Sequence, residues 1–365
     1  MSKQKVLVGM SGGVDSSVAA ALLKEQGYEV IGATLRVRPE EGENGNREDA
    51  LCPVVEVEDA IKTSEKLGIR HYVFDFRDIF REKVVNYFID EYLKGRTPNP
   101  CIVCNRYVKF AALLEKAGSM GIDFIATGHY AIVEKNENTG RYLLKKSLHS
   151  DKDQTYALYK LTQQQLGRTL MPLGSREKAH VREIARSLGL EEADRPDSQE
   201  ICFIKDGGYR EYISQHSEAA PKEGFFTDTE GKILGRHLGI AHYTVGQRKG
   251  LGISFGKPMF VKEIDAAANK IVLAEERLMY SPGLIAGDLN FIPYDKLDSP
   301  MEVSVKIRYN AREVPALLNP IGTDEAEVIF KEPQKAVTPG QAAVFYEDRT
   351  VVGGGTIESV YRDRF

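Results

Sequence analysis

"VLVGMSGGVDSS", Val6 to Ser17, sets two glycines, an aspartate and three serines directly after an apolar run. Val6, Leu7 and Val8 read as a buried parallel strand. From Ser16 onward, Ala19, Ala20, Leu22 and Leu23 fit a helix with one apolar face, which Gly27 ends. "EVIGATL", Glu29 to Leu35, reads as the next strand. The glycine loop therefore falls at the carboxyl end of a strand and the amino end of a helix. Backbone N–H groups and the helix dipole there favour an anion. Gly12 and Gly13 let the backbone approach a phosphate without a side chain in the way. Ser11, Ser16 and Ser17 add hydroxyl donors. Asp15 would repel a bare phosphate and is expected to face a bound metal such as Mg2+. The plain alternative is a tight turn between two packed elements.

The 365 residues suffice for two or three domains. With 42% hydrophobic and 28% charged residues the composition is that of an ordinary soluble protein. No stretch is apolar enough to span a membrane. "MSKQK" leads into a strand rather than a signal-peptide core, which predicts a cytoplasmic protein. A formal charge of −4 does not advertise nucleic acid, so only a local basic patch can bind it. Four cysteines, Cys52, Cys101, Cys104 and Cys202, are too few for a disulfide scaffold at this length.

The opening loop lacks the Gly-Lys-Ser/Thr of a P-loop and the spaced glycines of a dinucleotide fold. It is similar to the pyrophosphate loop of the ATP-pyrophosphatase superfamily, whose members adenylate a substrate and release pyrophosphate. That resemblance implies ATP but leaves open whether nitrogen or sulfur is inserted. The cysteines bear on this choice. In "GRTPNPCIVCNRYVKF", Gly95 to Phe110, Asn99 is a good N-cap and Pro100 suits the first helical position. Cys101 and Cys104 then share one face of the first helical turns, where thiols are biased toward thiolate. Spacing alone leaves catalytic, cluster-binding and structural roles open. Cys202, in "DRPDSQEICFI" (194–204), reads by itself as a buried small hydrophobe. Cys52 follows an acidic, glycine-rich loop and has a weaker case.

Eight stretches in order along nearly the whole chain then resemble the bacterial tRNA-specific 2-thiouridylase family. They are "GMSGGVDSS" (9–17), "GRTPNPCIVCN" (95–105), "IATGHYA" (125–131), "DKDQTYALY" (151–159), "DSQEICFI" (197–204), "HYTVGQRKGLGI" (242–253), "VKIRYN" (305–310) and "TPGQAAVFY" (338–346). The resemblance implies that ATP adenylates the C2 oxygen of the tRNA wobble uridine, which sulfur then replaces. It implies a persulfide on Cys202 and a paired nucleophile at Cys104. ATP contacts would fall on Gly9, Met10, Ser11, Gly12, Gly13, Val14, Asp15, Ser16, Leu35 and Gly128. Asn99, Pro100 and Cys101 match the segment that contacts the target base. His129, Lys152, Asp153, Gln154, Arg308, Tyr309 and Gln341 match tRNA contacts. The implied partners are tRNA and a persulfide donor, a cysteine desulfurase or sulfur-relay protein. Some members have aspartate at the position of Cys101. Here Cys101, Cys104 and Cys202 make a set that can instead ligate an iron–sulfur cluster with one open iron.

The rest of the chain reads in three parts. Residues 1–208 alternate strand and helix patterns around a parallel sheet, with "HYVFDF" (71–76) and "DFIATGHYA" (123–131) as further strands. Residues 209–280 are mixed and glycine-rich, a central tRNA-binding linker domain in this reading. Residues 281–365 alternate with period two and suggest a small β-barrel that also binds tRNA. In "MEVSVKIRYN", Val303, Val305, Ile307 and Tyr309 are expected on one face, with Lys306 and Arg308 on the other. Two readings of other classes compete: a small-molecule synthetase of amidotransferase type, and an RNA-binding protein with a vestigial ATP loop.

Overall fold

The computed structural model describes residues 3–37, 54–195, 201–204, 208–217, 222–253 and 256–361. Cys52 and residues 196–200 of the Cys202 stretch lie outside these residues. Strands β1 (Lys5–Gly9), β2 (Glu29–Arg36), β3 (Arg70–Asp75) and β4 (Phe124–Ala126) pair in parallel. The chain leaves this sheet for a hairpin of β5 (Ala131–Lys135) and β6 (Tyr142–Lys146), then rejoins it with β7 (Thr169–Leu170). The spatial order is β3–β2–β1–β4–β7. Val6, Leu7 and Val8 are fully buried, as an apolar run between helix-covered faces requires. The first helix, Val14–Glu25, buries its alanines and leucines, and Gly27 follows it with φ +94°.

Residues 123–131 form two elements rather than one. β4 ends at Ala126, and the loop Thr127–Tyr130 carries the chain to the hairpin in another sheet. The alternation in "DFIATGHYA" is broken by Gly128, which has to pass close to the first helix.

Residues 224–274 supply β8 (Gly224–Thr227), β9 (Ile233–His237), β10 (Phe260–Asp265) and β11 (Lys270–Ala274), ordered β10–β11–β8–β9. The last six strands are β12 (Tyr280–Phe291), β13 (Met301–Lys306), β14 (Val314–Ile321), β15 (Glu325–Lys335), β16 (Ala342–Glu347) and β17 (Thr350–Val360). They run in the order β12–β15–β14–β13–β16–β17, and β12 also pairs with β17, which closes a barrel. Val303, Val305 and Ile307 are buried as expected, but Tyr309 is 43% exposed. β13 ends at Lys306, so the two-residue period no longer governs position 309.

The barrel is joined to the parallel sheet. β6 continues its sheet beside β17 through Lys145 and Thr350. One apolar cluster contains Leu7, Phe110 and Leu113 together with Val344, Tyr346 and Val351. Among the described residues, no helix is long and apolar enough to cross a membrane.

Candidate active site

The Val6–Ser17 loop lies at the carboxyl end of β1, where open parallel sheets bind their ligands. Gly12 adopts φ +71°, a conformation that strains any residue with a Cβ. Gly13 is the N-cap of the first helix and offers no side chain to its free N–H groups. The Ser16 hydroxyl accepts from Ser11 N at 3.2 Å and donates to the Gly13 carbonyl at 3.0 Å, which fixes the loop. Ser17 faces away from the loop opening and donates to Glu192 at 2.6 Å. Gly128 closes the cradle: a Cβ there would lie 2.7 Å from the Asp15 carbonyl carbon and 2.7 Å from Ser16 N. Leu35, at the end of β2, lies 3.9 Å from where a Gly9 Cβ would be. Gly9, Met10, Ser11, Gly12, Gly13, Val14, Asp15, Ser16, Leu35 and Gly128 are thus gathered at one end of the sheet. The concave, side-chain-free backbone at a twelve-residue helix's amino end fits a polyphosphate.

Asp15 departs from expectation. Its carboxylate accepts from Lys178 Nζ at 2.8 and 2.7 Å and from the Tyr130 hydroxyl at 2.7 Å. The ammonium of Lys178, whose side chain is only 10% exposed, thus stands where a metal was expected. Desolvation of a carboxylate demands such a counter-charge. Arg195 adds a second cation, donating to the Gly12 carbonyl at 3.4 Å and pairing with Asp59 at 2.8 Å. Lys178 and Arg195 come from sequence positions far from the loop; Lys178 carries no local motif, and Arg195 sits in the Cys202 stretch, where nothing points to Gly12. Tyr130 sits within "IATGHYA", so its pattern was visible but its partner was not.

Cys101 and Cys104 sit at the start of a helical run of three contiguous segments, Pro100–Cys104, the π-helical Asn105–Ala112, and Leu113–Ser119. Asn99 caps it, accepting from Cys101 N at 3.2 Å, and Pro100 takes the first helical position, as the sequence predicts. Cys101 is exposed and Cys104 partly buried. Phe203 packs edge-on against Phe80 and Phe88, with ring centroids 5.7 and 5.3 Å apart. Cys104 and Ile201 border the same aromatic cluster. This anchor holds exposed Cys202 beside the helix, close enough to influence the ionisation of both Cys101 and Cys104. Cys202 is therefore not the buried small hydrophobe that its apolar neighbours suggest; Phe203 takes that place. Leu35 packs into this cluster as well, linking it to the nucleotide loop.

The expected thiolate bias is overturned by burial. Desolvation pushes the Cys104 thiol up to about 12, against the lowering influence of Lys109. The Cys101 thiol is also raised by desolvation, again opposed by Lys109. All three thiols are free. Among the described residues, no three His, Cys, Asp or Glu side chains are grouped so as to hold a metal ion.

The positions matched to tRNA contacts come together from both ends of the chain. His129 bonds Thr127 through Nδ1 at 2.8 Å and packs on Phe110. Burial holds its imidazole down at about 3, so it is neutral. Asp153 accepts from Ser147 N and from Thr155, and Gln154 exchanges hydrogen bonds with Tyr130. These bonds shape the turn that carries Lys152. Tyr309 lies edge-on to Tyr156 at 6.0 Å, beneath Lys306 at 5.6 Å. Lys152, Asp153 and Cys101 all bear on its phenol, so barrel and helix meet there. Arg308 is exposed beside it. Gln341 donates to the Thr97 and Pro98 carbonyls at 2.8 and 3.3 Å, so it supports the segment leading into Asn99. Gly340 makes this possible, because a Cβ there would lie 2.8 Å from Thr97 N.

Comparison with known proteins agrees with this architecture. Residues 4–206 match the model of the tRNA methyl transferase HUP domain. Residues 210–275 match the tRNA methyl transferase PRC-barrel domain, and 281–357 the aminomethyltransferase beta-barrel domain. A tRNA-specific 2-thiouridylase MnmA of Acetivibrio thermocellus is 58% identical over 98% of this chain and 100% of its own. Its namesake in Clostridioides difficile is 54% identical over 97% of this chain and 98% of its own. A 4-thiouridine synthetase–RNA complex with bound ATP covers 55% of this chain and 45% of its own at 18% identity. Its TM-score of 0.34 is too low to inform the site. By the length and identity of these matches, the chain belongs to the tRNA-specific 2-thiouridylase family.

Proposed function

We propose that this chain activates the C2 oxygen of the tRNA wobble uridine with ATP and replaces it with sulfur. The observation that carries this reading is the placement, at one end of one sheet, of a backbone cradle for polyphosphate beside Cys104 and Cys202. Methyl transfer, after which the matching HUP and PRC-barrel domains are named, needs neither feature.

The uridine oxygen attacks the α-phosphorus of ATP, and pyrophosphate leaves from the loop Gly9–Ser16. Mg2+ arriving with ATP would supply charge neutralisation at the phosphates, and the Lys178 ammonium, held on Asp15, adds positive charge at the same loop. The terminal sulfur of a Cys202 persulfide then attacks C2 and AMP leaves. The Cys104 thiolate attacks the Cys202 sulfur, releasing 2-thiouridine and leaving a Cys104–Cys202 disulfide. A persulfide donor, a cysteine desulfurase or sulfur-relay protein, reloads the site after a thiol reductant opens the disulfide. Water competes with sulfur at C2, so RNA must close the site. Asn99, Pro100 and Cys101 face the target base. His129, Lys152, Asp153, Gln154, Arg308, Tyr309 and Gln341 hold the tRNA. The chain works in the cytoplasm as three units, 1–208, 209–280 and 281–365.

The test is incubation with ATP, a persulfide-loaded donor and tRNA bearing an unmodified wobble uridine, followed by nucleoside mass spectrometry. 2-Thiouridine, with AMP and pyrophosphate, is expected. Rapid pyrophosphate release without tRNA would instead point to a small-molecule synthetase.

A further inference from the structure

Lys109 projects from the π-helical segment Asn105–Ala112, five residues after Cys104. In an α-helix with 3.6 residues per turn, residues five apart lie about 140° apart around the axis. A π-helix closes its hydrogen bonds five residues apart and brings such a pair onto one side. The register is visible at the segment's end, where Leu113 N–H donates to the Val108 carbonyl. Lys109 bears on three groups at once: the thiols of Cys101 and Cys104 and the imidazole of His129. Phe110 packs on His129 with ring centroids 5.7 Å apart, which keeps that imidazole over the same stretch of helix. Lys109 is partly buried, and among the described residues no carboxylate or hydrogen-bond acceptor pairs with it.

A partly buried ammonium without a counter-charge is destabilising. It is accounted for if an anion forms beside it during turnover. The charged and titratable groups around Cys104 are Cys101 and Lys109 on its own run and Cys202 on the facing segment. The cluster it packs against holds the rings of Phe80, Phe88 and Phe203 and the phenols of Tyr92, Tyr107 and Tyr212, none of them a cation. Lys109 is thus the cation available to a sulfur anion there. We propose that Lys109 is a positioning residue for sulfur transfer, its ammonium being the counter-charge that stabilises the Cys104 thiolate. The proposal rests on the assignment of Cys104 as nucleophile, and the π-helical register is what delivers the charge.

The experiment measures iodoacetamide alkylation of Cys104 in the full-length protein across neutral to alkaline pH, quantified on the Cys104 peptide by mass spectrometry. Lys109→Met keeps the aliphatic stem and removes the charge; Lys109→Arg keeps the charge. Lys109→Met is expected to slow Cys104 alkylation about tenfold at a given pH and to move its profile to higher pH. Lys109→Arg should restore the wild-type profile. Thiolation should fall in parallel with the alkylation rate, and by more than tRNA-dependent pyrophosphate release does. Superimposable profiles for wild type and Lys109→Met would overturn the proposal. So would loss of pyrophosphate release with unchanged alkylation, which would assign Lys109 to the adenylated RNA. If Lys109→Met does not fold, Lys109→Gln takes its place under the same criteria. Failure of the underlying assignment looks different: Cys104→Ser would then still thiolate tRNA, whatever Lys109 does to the thiol.

Discussion

Gly128→Ala adds one methyl group at the tightest approach in the nucleotide site. The new Cβ would lie 2.7 Å from the Asp15 carbonyl carbon, 2.7 Å from Ser16 N and 2.9 Å from Asp15 Cβ. The first two are backbone atoms of the first helical turn and cannot rotate away. Restoring ordinary contact requires the loop and helix to separate by about 0.7 Å. Overpacking of this size costs about 1–3 kcal/mol of stability. The kinetic cost is larger, since a misplacement of about 1 Å at a reacting centre lowers rates about 100-fold. The expected outcome is a folded protein that still binds tRNA. Its kcat/KM for ATP, measured as tRNA-dependent pyrophosphate release, should fall about 10- to 100-fold. Wild-type ATP kinetics in folded Gly128→Ala would refute the placement of the phosphates against Gly128 and the helix end.

Asp15→Ala should abolish tRNA-dependent pyrophosphate release, because it removes the loop's carboxylate and strips Lys178 of a bonded partner; normal ATP turnover in this variant would contradict the role given to the loop. Arg308→Ala should weaken tRNA binding and make the log–log salt dependence shallower by about one unit, as loss of one phosphate contact requires; an unchanged slope would remove Arg308 from the phosphate-contacting set. His129 makes the fold acid-sensitive: its folded-state value near 3 lies below the 6.5 of the free side chain. Its contribution is therefore complete above pH 6.5 and is lost progressively as pH falls from 6.5 toward 3. Chemical denaturation of wild type and His129→Asn should show a shallower decline for the variant in that window, and parallel curves would count against a buried neutral imidazole.

Local patterns announced much of this molecule. The Val6–Leu35 unit, the Asn99–Pro100 helix start and the alternating strands after Tyr280 are local signals, and all three are present in the structure. What stayed hidden depends on distant partners. Lys178 reaches Asp15 across 163 positions, and no spacing rule connects them. The excursion of β5 and β6 into the barrel sheet depends on Thr350, far along the chain. The thiolate bias expected of Cys104 from its helix position was outweighed by the aromatic packing around it, which only the folded chain supplies. The π-helical register that places Lys109 has no marker in "CNRYVKF".

The central claim is that adenylation and sulfur delivery are separate acts of one site. The most direct measurement is a single-turnover reaction of wild type, Cys104→Ser, Cys202→Ser and the double variant with ATP, tRNA and a persulfide donor. Pyrophosphate and 2-thiouridine are quantified in the same sample. All four proteins should release pyrophosphate when tRNA is present, and only the wild type should form 2-thiouridine. Formation of 2-thiouridine by the double variant would contradict the account, as would pyrophosphate release that ignores tRNA.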